Sequence, residues 1–198
     1  MPGSYTVRLT VGEEERTTVV EVVGDPRLGT SQADYRAQDE FVRQIAEETE
    51  AIHRAVVRIG TVRDQVEAIL ERVEEEKGEG EDGEAASQEP LDRVVELGTA
   101  LVDSLTMVED SLVQWKTYDG QTVLNAPSRL NFQYIYLMGN VEGADDGVTQ
   151  GAREVFQDLN ARWYPLRDRL EVLLGEGVPA LNEEIRRAGI QPVGLGGG

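Results

Sequence analysis

One histidine, His53, and thirty-eight acidic side chains are the groups in this 198-residue chain with the most obvious chemistry to offer. Metal catalysis on a helical scaffold needs several imidazoles or thiolates at fixed spacing, or the paired Glu-x-x-His motifs of a di-iron bundle. A sole histidine cannot furnish two such pairs. With no cysteine in the chain, thiolate sites, disulfides and Cys nucleophiles are excluded as well. A Ser-His-Asp arrangement would have to run through His53, which falls one position off an apolar helical seam and is expected to be a flanking, structural residue.

Carboxylates can act in pairs as acid and base on a glycosidic bond. Adjacent pairs occur at Glu47-Glu48, Glu74 to Glu76, Asp145-Asp146 and Glu183-Glu184. In so acidic a chain these arise from composition, and they read as solvated faces. The run Glu74 to Glu89 ("EEEKGEGEDGEAASQE") lacks the alternating ligands and closing Glu of a calcium loop. The segments "GEGEDGE" and "GLGGG" lack the strand–helix context of a phosphate-binding loop. The expectation is therefore no catalytic residue, no metal ligand and no cofactor.

A net charge of -19 repels phosphate backbones and argues against nucleic-acid partners. Only Lys77 and Lys116 are lysines, so arginine supplies nearly all positive charge. This acidic, lysine-poor composition resembles that of proteins soluble in concentrated salt, where screening shortens the Debye length to about 3 Å at 1 M. No stretch approaches the roughly 20 apolar residues of a membrane span, so no membrane insertion is expected. Met1-Pro2-Gly3-Ser4 has neither the basic nor the apolar region of a signal peptide, and the localisation stays open.

The elements that would carry a site begin with an alternating segment. Tyr5, Val7, Leu9 and Val11 share one face of a predicted strand, with Thr6, Arg8 and Thr10 on the other. Gly12 to Arg16 is expected as a polar turn. A second strand, Thr17 to Val23, places Val20 and Val22 on one face and Val19 and Val23 on the other, a pattern that wants cover on both sides. A lone hairpin is marginal in water and leaves open edges. Tyr5, Val7, Leu9, Val11, Val20 and Val22 are thus the candidate interface.

From Ser31 the period changes to three and four. Val42, Ile45, Thr49, Ile52, Val56, Ile59, Val66, Leu70 and Val73 mark a seam interrupted by Arg63, and predict one long helix to Lys77. Residues 74–89 are expected as a flexible acidic linker. A second helix follows Pro90, its seam at Leu91, Val94, Gly98, Leu101, Leu105, Val108, Leu112 and Trp115, with Gly98 allowing close approach. Asn125 is placed to cap a third helix, with Pro127 in its first turn and Leu130, Tyr134, Leu137 and Val141 as its stripe. Thr149 is placed to cap the last helix, with a stripe at Val155, Phe156, Leu159, Trp163, Leu166, Leu170 and Leu173. Pro165 should bend that helix, and Gly175, Gly177 and Pro179 should interrupt it before a final turn with Leu181 and Ile185. The predicted fold is mainly α: an up-down antiparallel bundle of four helices over 31–189, the first very long, with a β-hairpin at 1–27 and a loose tail at 190–198.

The ordered succession of "PGSYTVRLTVG", "VVGDPR", "QADYRAQDEF", "VEGADDGVTQGAREVFQDLNARWYPL" and "LNEEIRRAGIQPV" resembles the C-terminal region of bacterial BNR-repeat, sortilin-like proteins classed with glycosyl hydrolases. The resemblance spans essentially the whole chain. It implies a parent with a β-propeller and a small sandwich, the hairpin being the last piece of that sandwich with its earlier strands in a preceding segment, and it implies an exported parent. The propeller's Asp-box is missing from this chain; "SQADYRAQ" has neither the Gly nor the Trp of such a box. No hydrolytic residue can therefore be carried over. The expected function is a non-catalytic accessory module that packs on a larger propeller protein or self-associates. The alternatives are a fragment of a glycoside hydrolase and an unrelated coiled-coil scaffold or adaptor.

Overall fold

The computed structural model describes residues 1–79, 89–115 and 126–194. It contains an antiparallel hairpin, β1 (Gly3–Val11) with β2 (Glu14–Val22), then α1 (Gln32–Glu79), α2 (Glu89–Leu112), α3 (Leu130–Glu142) and α4 (Gln150–Val172). Helix α4 passes through one π-helical turn (Leu173–Gly177) directly into α5 (Val178–Arg187). The mainly α architecture of four helical rods, the first very long, behind an N-terminal hairpin is thus present.

Several boundaries differ from expectation, each for a local reason. The turn is only Gly12-Glu13, with Val11 paired to Glu14. Gly12 takes a φ of 62°, the left-handed conformation that two-residue hairpin turns demand and that glycine adopts without penalty. The second strand therefore starts at Glu14, not Thr17. Helix α1 continues to Glu79, into the segment expected as linker; residues 80–88 lie outside the described ones. Asn125 lies outside them too, and Pro127 stands ahead of α3 rather than within its first turn.

The chain forms two compact units, Met1–Thr49 with Tyr134–Asp158, and Glu50–Gln133 with Leu159–Gly198. In the first, the N-terminus of α1 is closed by a capping box. Ser31 Oγ and the Ser31 backbone N–H donate to Asp34 at 2.6 and 2.9 Å, and Asp34 N–H donates back to Ser31 Oγ at 3.2 Å. Thr149 Oγ1 accepts from the Ala152 N–H at 3.1 Å, capping α4 as expected. Phe156 meets Phe41 edge-on at 5.3 Å and Tyr134 at 6.1 Å, the geometry that aromatic quadrupoles favour. Ile45, Leu137 and Val141 of this unit are also buried, whereas Val155 is 47% exposed and leaves the predicted stripe. Buried Thr49 satisfies its hydroxyl by donating to the Ile45 carbonyl at 2.8 Å.

In the second unit the seam of α1 runs through Ile52, Ala55, Ile59, Val62, Val66, Ile69 and Val73, all buried. Val56 and Leu70 are half-buried flanks. Val62 fills the seam where Arg63 was expected to break it, and Arg63 reaches sideways to Glu109 of α2, a carboxylate only 4% exposed. On α2, Val94, Gly98, Leu101, Leu105, Val108 and Leu112 are buried as expected, but Trp115 lies beyond the helix and is 61% exposed. A Cβ at Gly98 would come within 2.8 Å of Leu70 Cδ2, so the close approach expected there is real.

The predicted break at Gly175 does not occur. The Val178 N–H bonds the Leu173 carbonyl, five residues back, and this widened turn admits Pro179 at the start of α5 without a helix end. Leu174, Val178, Leu181 and Ile185 are all buried. Nor is the described part of the tail loose. Asn182 Nδ2 donates to the Val193 carbonyl at 2.9 Å and its Oδ1 accepts from the Val193 N–H at 2.7 Å. Gln65 does the same to Gly194 at 3.0 and 2.8 Å. Two side-chain amides thereby hold successive backbone units as a neighbouring strand would, and Val193 is buried.

Candidate interaction surface

The hairpin register sets the composition of each face. Tyr5 lies opposite Val20, Val7 opposite Thr18, Leu9 opposite Arg16, Val11 opposite Glu14 and Gly3 opposite Val22. Because side chains alternate along each strand, all six candidate interface residues stand on one face. They are 44–67% exposed: Tyr5 45%, Val7 50%, Leu9 62%, Val11 67%, Val20 44% and Val22 45%. The opposite face carries Ser4, Thr6, Arg8 and Thr10 against Glu21, Val19, Thr17 and Glu15, with an Arg8–Glu15 ion pair at 3.0 Å. Among the described residues nothing covers the valines of the other face, where Val19 is 69% and Val23 75% exposed. Among the described residues the sheet has two strands only, so each strand offers an outer edge without a ladder partner.

The foot of the hairpin is held by polar contacts. Gln32 Nε2 donates to the Pro2 carbonyl at 3.2 Å, and Thr30 Oγ1 donates to the Asp145 carbonyl at 2.6 Å. Gln38 Nε2 donates to the carbonyls of Val141 and Ala144, both at 2.5 Å, satisfying groups at the end of α3. Tyr35 is buried here; burial, and then the negative charge of Asp145, push its phenol above the ordinary tyrosine value. An open cleft of about 410 Å³ beside it is lined by Val22 and Val23 at the foot of the hairpin together with Tyr35, Gln38, Val42 and Asp145. The capping bonds from Ser31 hold Asp34 below the usual carboxylate range, and Arg27 does the same to Asp25.

Among the described residues no three His, Asp or Glu side chains come together as a set that could hold a metal ion, and no helix is long and apolar enough to cross a membrane. His53 is exposed. Glu183 and Glu184 both pair with Arg187, at 2.5 and 2.6 Å, which gives these adjacent carboxylates an ordinary surface role. The feature missed in the sequence is Glu109: nothing distinguishes it there from the other acidic residues except its place, one position after the seam residue Val108. Comparison with protein-family models, with curated proteins and with solved structures gives no match.

Proposed function

We propose that this chain is a non-catalytic helical interaction module, of the kind found in the C-terminal region of BNR-repeat propeller proteins, and that it engages protein through the hairpin. One observation carries the reading: six apolar side chains stand on a single face of a two-stranded sheet, every one of them about half exposed or more. Isolated apolar side chains on a surface need no explanation, but a contiguous set on a sheet with open edges is the usual mark of a docking surface. Natural sheets otherwise blunt such edges with charge or cover them. The charge of -19 supports a protein partner over a nucleic acid.

If the face serves a partner, it contributes little to the chain's own helices. Lysine at both Val7 and Leu9 is expected to leave helix unfolding within about 0.5 kcal/mol of the parent, the range of ordinary surface substitutions. Amide exchange in β1 and β2 is expected to be much faster than in α2, since a two-stranded hairpin is barely stable alone. A helix destabilisation above about 1 kcal/mol would assign the face to the chain's own core and refute the proposal. Turnover of an aryl glycoside by the purified chain would contradict its non-catalytic half.

A further inference from the structure

The hairpin's apolar face has a second property, its charge. The only charged side chains on it are Glu14 and Arg16, both at the turn end and opposite in sign. This face is electrically neutral in a chain of net charge -19, which makes it a place where two copies can meet without direct like-charge opposition. The opposite face holds Arg8, Glu15 and Glu21 and suits water.

We infer that the occupant of this face is a second copy of the same chain, the two hairpins stacking apolar face to apolar face as a four-stranded sandwich. The inference rests on the interaction-module reading and gives it a partner. Sheets pack about 10 Å apart with their strands within about 30° of alignment, so Tyr5, Val7, Leu9, Val11, Val20 and Val22 of each copy can interdigitate. The exposed area of these six residues is on the order of 600 Å² per copy, so their full burial in the pair removes about 1,200 Å² from water, the lower bound of stable interfaces. A two-fold axis makes the contact isologous and closes it at two copies. Stacking by faces, not edges, is what removes the apolar surface from water; pairing β1 to β1 would only widen it. The remaining acidic surface still repels, so association strengthens as salt rises from physiological to about 1 M, where the Debye length shrinks from about 8 to 3 Å.

The test is light scattering of the full chain across a dilution series at both salt concentrations, with Val7→Glu on the apolar face and Val19→Glu on the other. Both variants add the same charge. A dimer that tightens with salt is expected, weakened about a hundredfold or more by Val7→Glu, which buries two carboxylates across the two-fold axis, and within about threefold of the parent for Val19→Glu. A dimer indifferent to Val7→Glu, or weakened equally by both changes, overturns the inference. A monomer at every concentration and salt overturns it too. In that case the unfolding midpoint of Val7→Glu separates the two readings. An unchanged midpoint leaves the interaction module standing with a different partner, whereas a lowered one shows that the face packs on the chain's own helices and removes both.

Discussion

Replacing Arg63 by methionine strips the guanidinium from Glu109 while keeping an unbranched, helix-compatible side chain in place. The Glu109 side chain is 4% exposed and that of Arg63 25%, so the carboxyl group is left nearly dry and without its cation. Breaking a buried pair from one side costs about 3–5 kcal/mol. The partly exposed guanidinium end lets water enter once it is gone, which places the expected loss near the bottom of that range, about 3 kcal/mol. In a chain of this length that corresponds to a fall in melting temperature of about 6–12 °C. Arg63→Met combined with Glu109→Leu removes both charges and is expected to return to within about 1 kcal/mol of the parent, because an apolar pair escapes the desolvation cost that the ion pair bears. Urea unfolding followed by the fluorescence of Trp163, which is 1% exposed and belongs to the same compact unit, reads all four corners of the cycle. The reasoning fails if Arg63→Met costs under about 1 kcal/mol, or if the double change costs the sum of the singles, since either would show that the two groups are not coupled.

Gly98→Ala is expected to lower stability by about 1 kcal/mol, since its methyl meets Leu70 Cδ2 at 2.8 Å; in a Leu70→Ala background the same change becomes stabilising by up to about 1 kcal/mol, the helix-propensity gain. Urea midpoints of the four proteins check this. Asn182→Ala removes both hydrogen bonds to Val193 and is expected to cost about 1–3 kcal/mol. Faster amide exchange at Val193 is the accompanying sign. Asp34 is held below its ordinary value by Ser31. Its contribution is therefore fully present above the unfolded carboxylate pKa and is lost as pH falls through the lower folded value. Ser31→Ala should flatten that part of the acid-unfolding profile and cost about 1 kcal/mol at neutral pH through the lost cap.

The seam of α1 shows why sequence periodicity found the helix but misplaced its contacts. A seven-residue repeat can be read through either of two adjacent columns, Ala55, Val62 and Ile69 or Val56, Arg63 and Leu70, and both hold apolar residues. The expected seam followed the second column and met Arg63 as an interruption. Packing chose the first, turning the interruption into a flank with a partner on α2. That partner was invisible in advance because one acidic residue among thirty-eight carries no signal of burial. The alternation of β1 was legible, and with it most of the candidate surface. The turn was not, because "EEER" after Gly12 reads as polar loop when in fact strand pairing continues through it. The ordered tail was hidden for a different reason: Gln65, Asn182 and the Val193–Gly194 backbone meet only in three dimensions.

The π-helical turn at Leu173–Gly177 acts as a phase shifter. Up to it, the buried stripe steps by seven residues, from Trp163 to Leu170; continued unchanged it would fall on Gly177 and Glu184. The buried residues are instead Val178 and Ile185, each one position later. One residue is about 100° of rotation on an α-helix, so the wide turn absorbs a single surplus residue and keeps the apolar side of α5 buried. Deleting one residue from this turn would therefore swing Val178, Leu181 and Ile185 out of the core, and would also set Pro179 inside an ordinary α-helical ladder, where it has no N–H to give. A circular dichroism trace, dominated by the other helices, would change little while the packing of this stripe was lost.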